Sequence, residues 1–233
     1  MGDVVVRDLD GLAEWTAASA LYRAVFGYED PEWGLSPRLL AALGENSGTV
    51  IGAFGPDGAL IGFCYGFCAV EHGEIYHYSQ AAVVAAGAQG TGIGRMLKQA
   101  QATAARRTGA QSMRWTFDPY ALRNAHFNFA VLGATGIRFL PDYYGAPGTD
   151  RVLVSWDLVD SRARRRTDDA VESVVAPAGD RYAAPDPADR DWLRQQLLEK
   201  FAAGGRLTAV TRAGADRVAY AFENDAVPEN GPR

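Results

Sequence analysis

The segment Gln89-Gly90-Thr91-Gly92-Ile93-Gly94 decides how the rest of this chain is read. It follows a strand-like run, Ile75 to Val84, and precedes a segment that places Ile93, Met96, Leu97, Ala100 and Ala104 on one helical face. Glycines at a strand-to-helix turn let the backbone turn tightly and approach a ligand with no Cβ in the way. The first N–H groups of the helix have no intrahelical acceptor, and the helix dipole puts positive potential at the turn. Together these features make a cradle for an anion such as phosphate. A P-loop needs Gly-Lys-Ser/Thr at the helix start, but Arg95 and Met96 follow Gly94. The dinucleotide pattern G-x-G-x-x-G ends on Arg95 when read from Gly90, and on Leu97 when read from Gly92. Both fingerprints fail. A turn that uses glycine for geometry alone is the plain alternative.

Outward from this turn, the chain alternates strands and helices. Val4 to Val6 reads as a first strand, Leu12 to Phe26 as a helix ended by Gly27, and Pro37 to about Leu43 as a second helix capped by Ser36. Val50 to Phe54 and Leu60 to Phe67 read as a hairpin across Gly55-Pro56-Asp57-Gly58. Downstream come a strand, Met113 to Phe117, a helix, Ala125 to Leu132, and a strand, Arg151 to Leu158. This order predicts a mixed α/β sheet with helices on its faces. A charged segment, 159–172, reads as a solvated linker. Residues 173–233 read as an α-β-β appendage: a helix over Ala188 to Ala203, then a hairpin of Leu207 to Thr211 and Val218 to Phe222.

The 233 residues are 48% hydrophobic and 22% charged, which suits a globular chain with a proper core and excludes a mainly disordered one. A net charge of −5 argues against nucleic acid as the main partner. The longest stretch free of Asp, Glu, Lys and Arg, Ile75 to Gly94, holds four glycines and two glutamines, so no membrane span is expected. The start, MGDVVVRDLD, shows no signal peptide. Cys64 and Cys68 share a strand about 13 Å apart, too far for a disulfide, and no histidines stand at zinc-ligand spacing. The expectation is a cytoplasmic protein with reduced thiols and no metal.

The pattern Q-x-x-G-x-G between strand and helix resembles the acetyl-CoA loop of the GNAT acyltransferase superfamily. The order of elements over residues 3–158 is similar to the GNAT topology, with the loop after the fourth strand. Trp115-Thr116-Phe117-Asp118-Pro119, Arg123-Asn124-Ala125, Leu132-Gly133-Ala134 and Asp142-Tyr143-Tyr144-Gly145 resemble a GNAT subgroup with a C-terminal extension, some of whose members are associated with N-acylamino-acid racemases. The resemblance implies an α/β GNAT fold: a mixed, mostly antiparallel sheet splayed between strands 4 and 5, with an acyltransferase domain over 1–158. It also implies acetyl-CoA or another acyl-CoA as co-substrate. The acyl group would pass directly to the amine of a small molecule or amino acid. A CoA-binding module without catalysis, or transfer to a protein or natural-product amine, is the alternative.

On this reading Gln89, Gly90, Thr91, Gly92, Ile93 and Gly94 hold the pyrophosphate, and Ala82, Val83 and Val84 offer a strand edge to pantetheine. A backbone N–H near Val83 or Val84 would stabilise the oxyanion, a contact worth about 3 kcal/mol of barrier. Asn124 is expected to touch the cofactor or cap its helix. His77 could take the amine proton or be a hydrogen-bonded histidine on the other face of the sheet. Asp118 could act at the end of the fifth strand or form an Asx turn before Pro119. Tyr143 or Tyr144 could protonate the leaving thiolate or pack in the loop. Glu32 and Trp33, with Tyr78 and Gln80 on the strand face opposite His77, are expected to line the acceptor site. The chain departs from the family at three places: Ala86 stands for a common proline, Phe129 for the usual acid tyrosine, and Leu122 for a frequent asparagine. The appendage could close the acceptor site, form a homodimer contact or cover a sheet edge.

Overall fold

A computed structural model describes residues 3–159, 172–177 and 186–224. Apart from its two end residues, the expected charged linker lies outside them. The chain forms two compact units, residues 1–115 and 116–233.

In the first unit the order is β1 (Val5–Asp8), α1 (Gly11–Phe26), a 3-10 turn (Pro31–Trp33), α2 (Pro37–Glu45), β2 (Thr49–Phe54), β3 (Leu60–Glu71), β4 (Glu74–Val84), α3 (Ile93–Arg107) and the start of β5 (Ser112–Phe117). The strands lie in the order β1-β2-β3-β4-β5, antiparallel except for the parallel pair β4/β5. Helices cover both faces. Ala18 of α1 and Leu40 of α2 join Phe63, Tyr65 and Val83 in one apolar cluster. On the other face Ile93 and Leu97 of α3 pack with Ile51, Ala53 and Cys64. Gly27, at φ 68°, closes α1 with a left-handed cap, because its N–H bonds back to Arg23 O.

Two features of β4 matter for function. Its register against β3 skips one residue: Tyr65 faces Ala81 and Gly66 faces Ser79, so Gln80 is the extra residue of a β-bulge. Before the bulge His77 and Ser79 are buried; beyond it Val83 packs with α1 and α2, while Val84 packs with α3. A regular strand would have put His77, Ser79 and Val83 on one face. Second, the parallel pairing with β5 covers only Tyr76–Tyr78 against Ser112–Arg114. Among the described residues, β4 from Ser79 to Val84 pairs with β3 alone. This is the splay that the resemblance implies.

The second unit contains α4 (Leu122–His126) continuing into a π turn (Phe127–Val131), β6 (Thr135–Leu140), β7 (Arg151–Asp157), β8 (Glu172–Pro177), α5 (Pro187–Ala202), β9 (Gly205–Arg212) and β10 (Arg217–Asn224). Its strands run in the order β7-β6-β9-β10-β8, antiparallel where paired. Leu193 and Leu197 of α5 are fully buried, and Phe201 packs against Phe139 and Phe222. Two strands go beyond the sequence reading. β6, TGIRFL, is short, and Arg138 interrupts its apolar pattern. β8, ESVVAP, adds a strand ahead of the expected α-β-β segment; Val174 and Ala176 are buried, but a stretch so short offers little periodicity to read. Among the described residues, no helix is long and apolar enough to cross a membrane.

Candidate active site

The turn Gln89 to Gly94 sits where β4 hands over to α3. Gly90 and Gly92 have φ of 81° and 92°, left-handed values that a side chain resists. A Cβ built on Gly92 would meet nothing within 4 Å, so the space beside the turn is open. Gln89 Nε2 donates to Val84 O at 3.1 Å, fixing the turn to the end of β4, and Thr91 Oγ1 donates to Ala88 O at 2.7 Å within the turn. Arg95 and Met96 donate their N–H groups to Gly92 O, which starts the helix. Among the described residues, the N–H groups of Gly90, Thr91, Gly92, Ile93 and Gly94 donate to no protein acceptor. Five backbone donors at a helix N-terminus can hold a pyrophosphate. The residues present therefore fit the phosphates of CoA.

Below the turn a chain of buried polar side chains links the sheet to α3. Lys98 Nζ donates to Ser79 Oγ at 2.8 Å, and Ser79 Oγ donates to Gln101 Oε1 at 2.7 Å. Gln101 Nε2 donates to Thr49 Oγ1 at 2.9 Å, and that hydroxyl lies 3.0 Å from His77 Nε2. Lys98 Nζ also stands 3.8 Å from the centre of the Trp115 ring. Ser79 and Trp115 are the first residues of β4 and β5 beyond their pairing, so the Lys98 amine occupies the fork of the splay. Trp115 favours the charged amine. Burial opposes it and prevails, bringing the pKa from 10.5 down to about 7. The chain has two lysines among its 23 basic residues, and an arginine at position 98 could not shed its charge in this way. Gly66 makes room for the network: a Cβ there would lie 2.3 Å from Tyr78 O and 2.7 Å from His77 Nε2.

His77 is fully buried, and its Nδ1 has no partner. Burial, reinforced by Lys98, takes its pKa down to about 4, so the ring is neutral at pH 7. Of its expected roles, the hydrogen-bonded histidine on the α3 side matches this position. Tyr78 is half-buried on the opposite face, 5.5 Å from the Phe67 ring, and Gln80 is exposed in the bulge. Ala82 is exposed, Val83 buried and Val84 half-buried. Glu32 and Trp33 are exposed in the 3-10 turn, with Trp33 6.3 Å from Tyr28 in an aromatic row that continues to Phe26 and Tyr22.

In the second unit, Asp118 Oδ1 accepts the N–H of Tyr120 at 2.8 Å, forming the Asx turn anticipated before Pro119. Asn124 is exposed on α4. Phe129 is buried and meets Phe117 edge-on at 5.7 Å. Tyr143 and Tyr144 are 41% and 58% exposed on a loop held at both ends. Asp142 N–H donates to Asp150 Oδ1 at 3.0 Å, Tyr143 N–H to Thr149 O at 3.1 Å, and Tyr144 N–H to Thr149 Oγ1 at 3.1 Å. Arg194 of α5 then bridges both aspartates, 2.7 Å from Asp142 Oδ2 and 3.3 Å from Asp150 Oδ2. Asp150 itself is buried and also accepts from Tyr120 OH at 2.8 Å. The sequence reading missed Lys98, Gln101, Asp150 and Arg194. An isolated lysine in the helix stripe was the only available signal for the first.

No protein-family model and no curated protein matches the chain. Solved structures do. A GNAT-family protein from Desulfovibrio desulfuricans, assigned as an acetyltransferase, is 17% identical with a TM-score of 0.54 over 67% of this chain and 100% of that one. The ribosomal-protein-S18-alanine N-acetyltransferase of Escherichia coli is 13% identical, TM-score 0.53, over 71% of this chain and 100% of its own. An aminoglycoside 6'-N-acetyltransferase in complex with coenzyme A is 14% identical, TM-score 0.53, over 66% of this chain and 97% of its own. At these identities the likeness is one of fold: this chain has the fold shared by the GNAT acetyltransferases.

Proposed function

We propose that this chain is an acyl-CoA-dependent N-acyltransferase that moves an acetyl or other short acyl group directly onto the amine of a small molecule, such as an amino acid. The observation that carries the reading is the run of free N–H groups from Gly90 to Gly94, directly after a strand whose last residues have parted from β5. Those donors would bind the pyrophosphate. The open edge at Ala82 to Val84 would bind pantetheine, with an N–H from Val83 or Val84 on the thioester oxygen. Glu32, Trp33, Tyr78 and Gln80 would meet the acceptor.

Buried and neutral, His77 supports β4 through Thr49 in this account and leaves proton removal to other groups. Tyr143 and Tyr144 are the better proton carriers, because both are exposed on a loop whose backbone is fixed. Asp118 retains one oxygen outside its Asx turn for the acceptor amine. Residues 173–233 would serve the transferase domain by clamping this loop through Arg194. A thiol-release assay with acetyl-CoA and a panel of amines and amino acids tests the reading. Acceptor-dependent release of CoA is expected. Saturable CoA binding with no release on any amine would favour the non-catalytic module, in keeping with Phe129 at the acid position.

A further inference from the structure

The second unit contains a cavity that the proposed transfer does not use. It measures about 630 Å³, inside the roughly 300–1,000 Å³ range of small-molecule pockets. One wall comes from α4 and the π turn, the other from β9 with Val218 of β10. None of Asp118, Asn124, Tyr143 and Tyr144 lines it.

Three observations converge here. The apolar lining is Leu122, Phe129, Ala130, Ala209, Val210 and Val218, and Phe129 and Ala130 lie in the π turn. A π turn interrupts the regular helical ladder, and such turns are concentrated at functional sites. The charged lining is entirely cationic or imidazole: Arg123, His126 and Arg212, with no carboxylate, in a chain of net charge −5. Among the described residues, the side chains of Arg123 and His126 have no hydrogen-bond or ion-pair partner. Finally, β9 pairs with β6 at Leu207 only, so its edge from Thr208 onward carries no strand on that side among the described residues. Thr208 and Thr211 line the cavity along that edge and add hydroxyls.

We propose that this cavity binds a small organic carboxylate with an alkyl or aryl body. The body fills the apolar floor, and the carboxylate is held by the Arg123 guanidinium and a ring N–H of His126. A planar guanidinium pairs with a carboxylate through two parallel hydrogen bonds, which a neutral amide of the same shape cannot reproduce. The site is independent of the acyl-CoA reading, and either can fail without the other.

The test is thermal unfolding of the full chain with hexanoate, octanoate and benzoate, alongside octanamide and benzamide. At about ten times its dissociation constant, a carboxylate should raise Tm by about 3 °C or more. The amides should give no rise. R123Q and H126Q should each weaken carboxylate binding by about tenfold or more. A130W, which fills the space beside His126, should abolish it. Equal stabilisation by acids and amides would overturn the anion assignment. No response to any carboxylate would overturn the site. Loss of the carboxylate response at saturating CoA would also overturn it, by making the cavity part of the CoA site.

Discussion

Replacing Lys98 by methionine keeps the length of the side chain and removes the amine that sits between Ser79 and Trp115. In the folded chain that amine has a pKa near 7, against 10.5 for an ordinary lysine. Between those values the unfolded chain holds a proton that the folded chain lacks, so stability rises with pH across the window. The limiting slope is about 1.4 kcal/mol per pH unit. Because the folded group is half-protonated at pH 7, the gain from pH 7 to pH 9 is about 2 kcal/mol. Above pH 9 the buried Cys64 thiol, raised to about 12, has the opposite effect: the unfolded thiol ionises first and stability falls. The comparison therefore belongs between pH 7 and 9. Urea unfolding followed by tryptophan fluorescence should show the wild type gaining that amount relative to K98M, equivalent to about 4–8 °C in Tm. Groups common to both proteins and not coupled to Lys98 cancel in the difference, and the two that are coupled to it, His77 and Cys64, titrate outside this window in the folded chain. Parallel pH profiles for the two would refute a neutral, buried Lys98.

Further tests address the turn, the network and the loop. G92V places a β-branched residue at φ 92°, where its Cβ has room but its backbone does not; the fold should survive while CoA affinity, read by calorimetry, drops at least about tenfold. G66A drives a methyl group into Tyr78 O and His77 Nε2, and should cost about 1–3 kcal/mol in urea unfolding. R194Q removes the bridge between Asp142 and Asp150; the 142–149 loop should become a site of limited proteolysis, and the acceptor KM should rise with the acyl-CoA KM unchanged.

The turn at Gln89 to Gly94 and the hairpin before it were legible because glycine, proline and aspartate act locally, through φ and turn geometry. The stripe of α3 was only partly legible. Met96, expected on the apolar face, is 37% exposed, while Lys98 and Gln101 are buried. These polar residues satisfy one another through Ser79 and Thr49, a condition set by strands far away in sequence and invisible to helical periodicity. The bulge at Gln80 was hidden for a similar reason: strict alternation extrapolates past a register shift that depends on the partner strand. Asp142 and Asp150 read as loop residues until the helix carrying Arg194, more than 40 residues on, is brought beside them.

The free N–H groups at the head of α3 carry the acyl-CoA reading, and calorimetric titration of the full chain with CoA probes them. Saturable one-site binding is expected, with ATP and NAD weaker by at least about tenfold because their fingerprints are missing from the turn. No binding of CoA or acetyl-CoA, or tighter binding of ATP or NAD than of either, would contradict it.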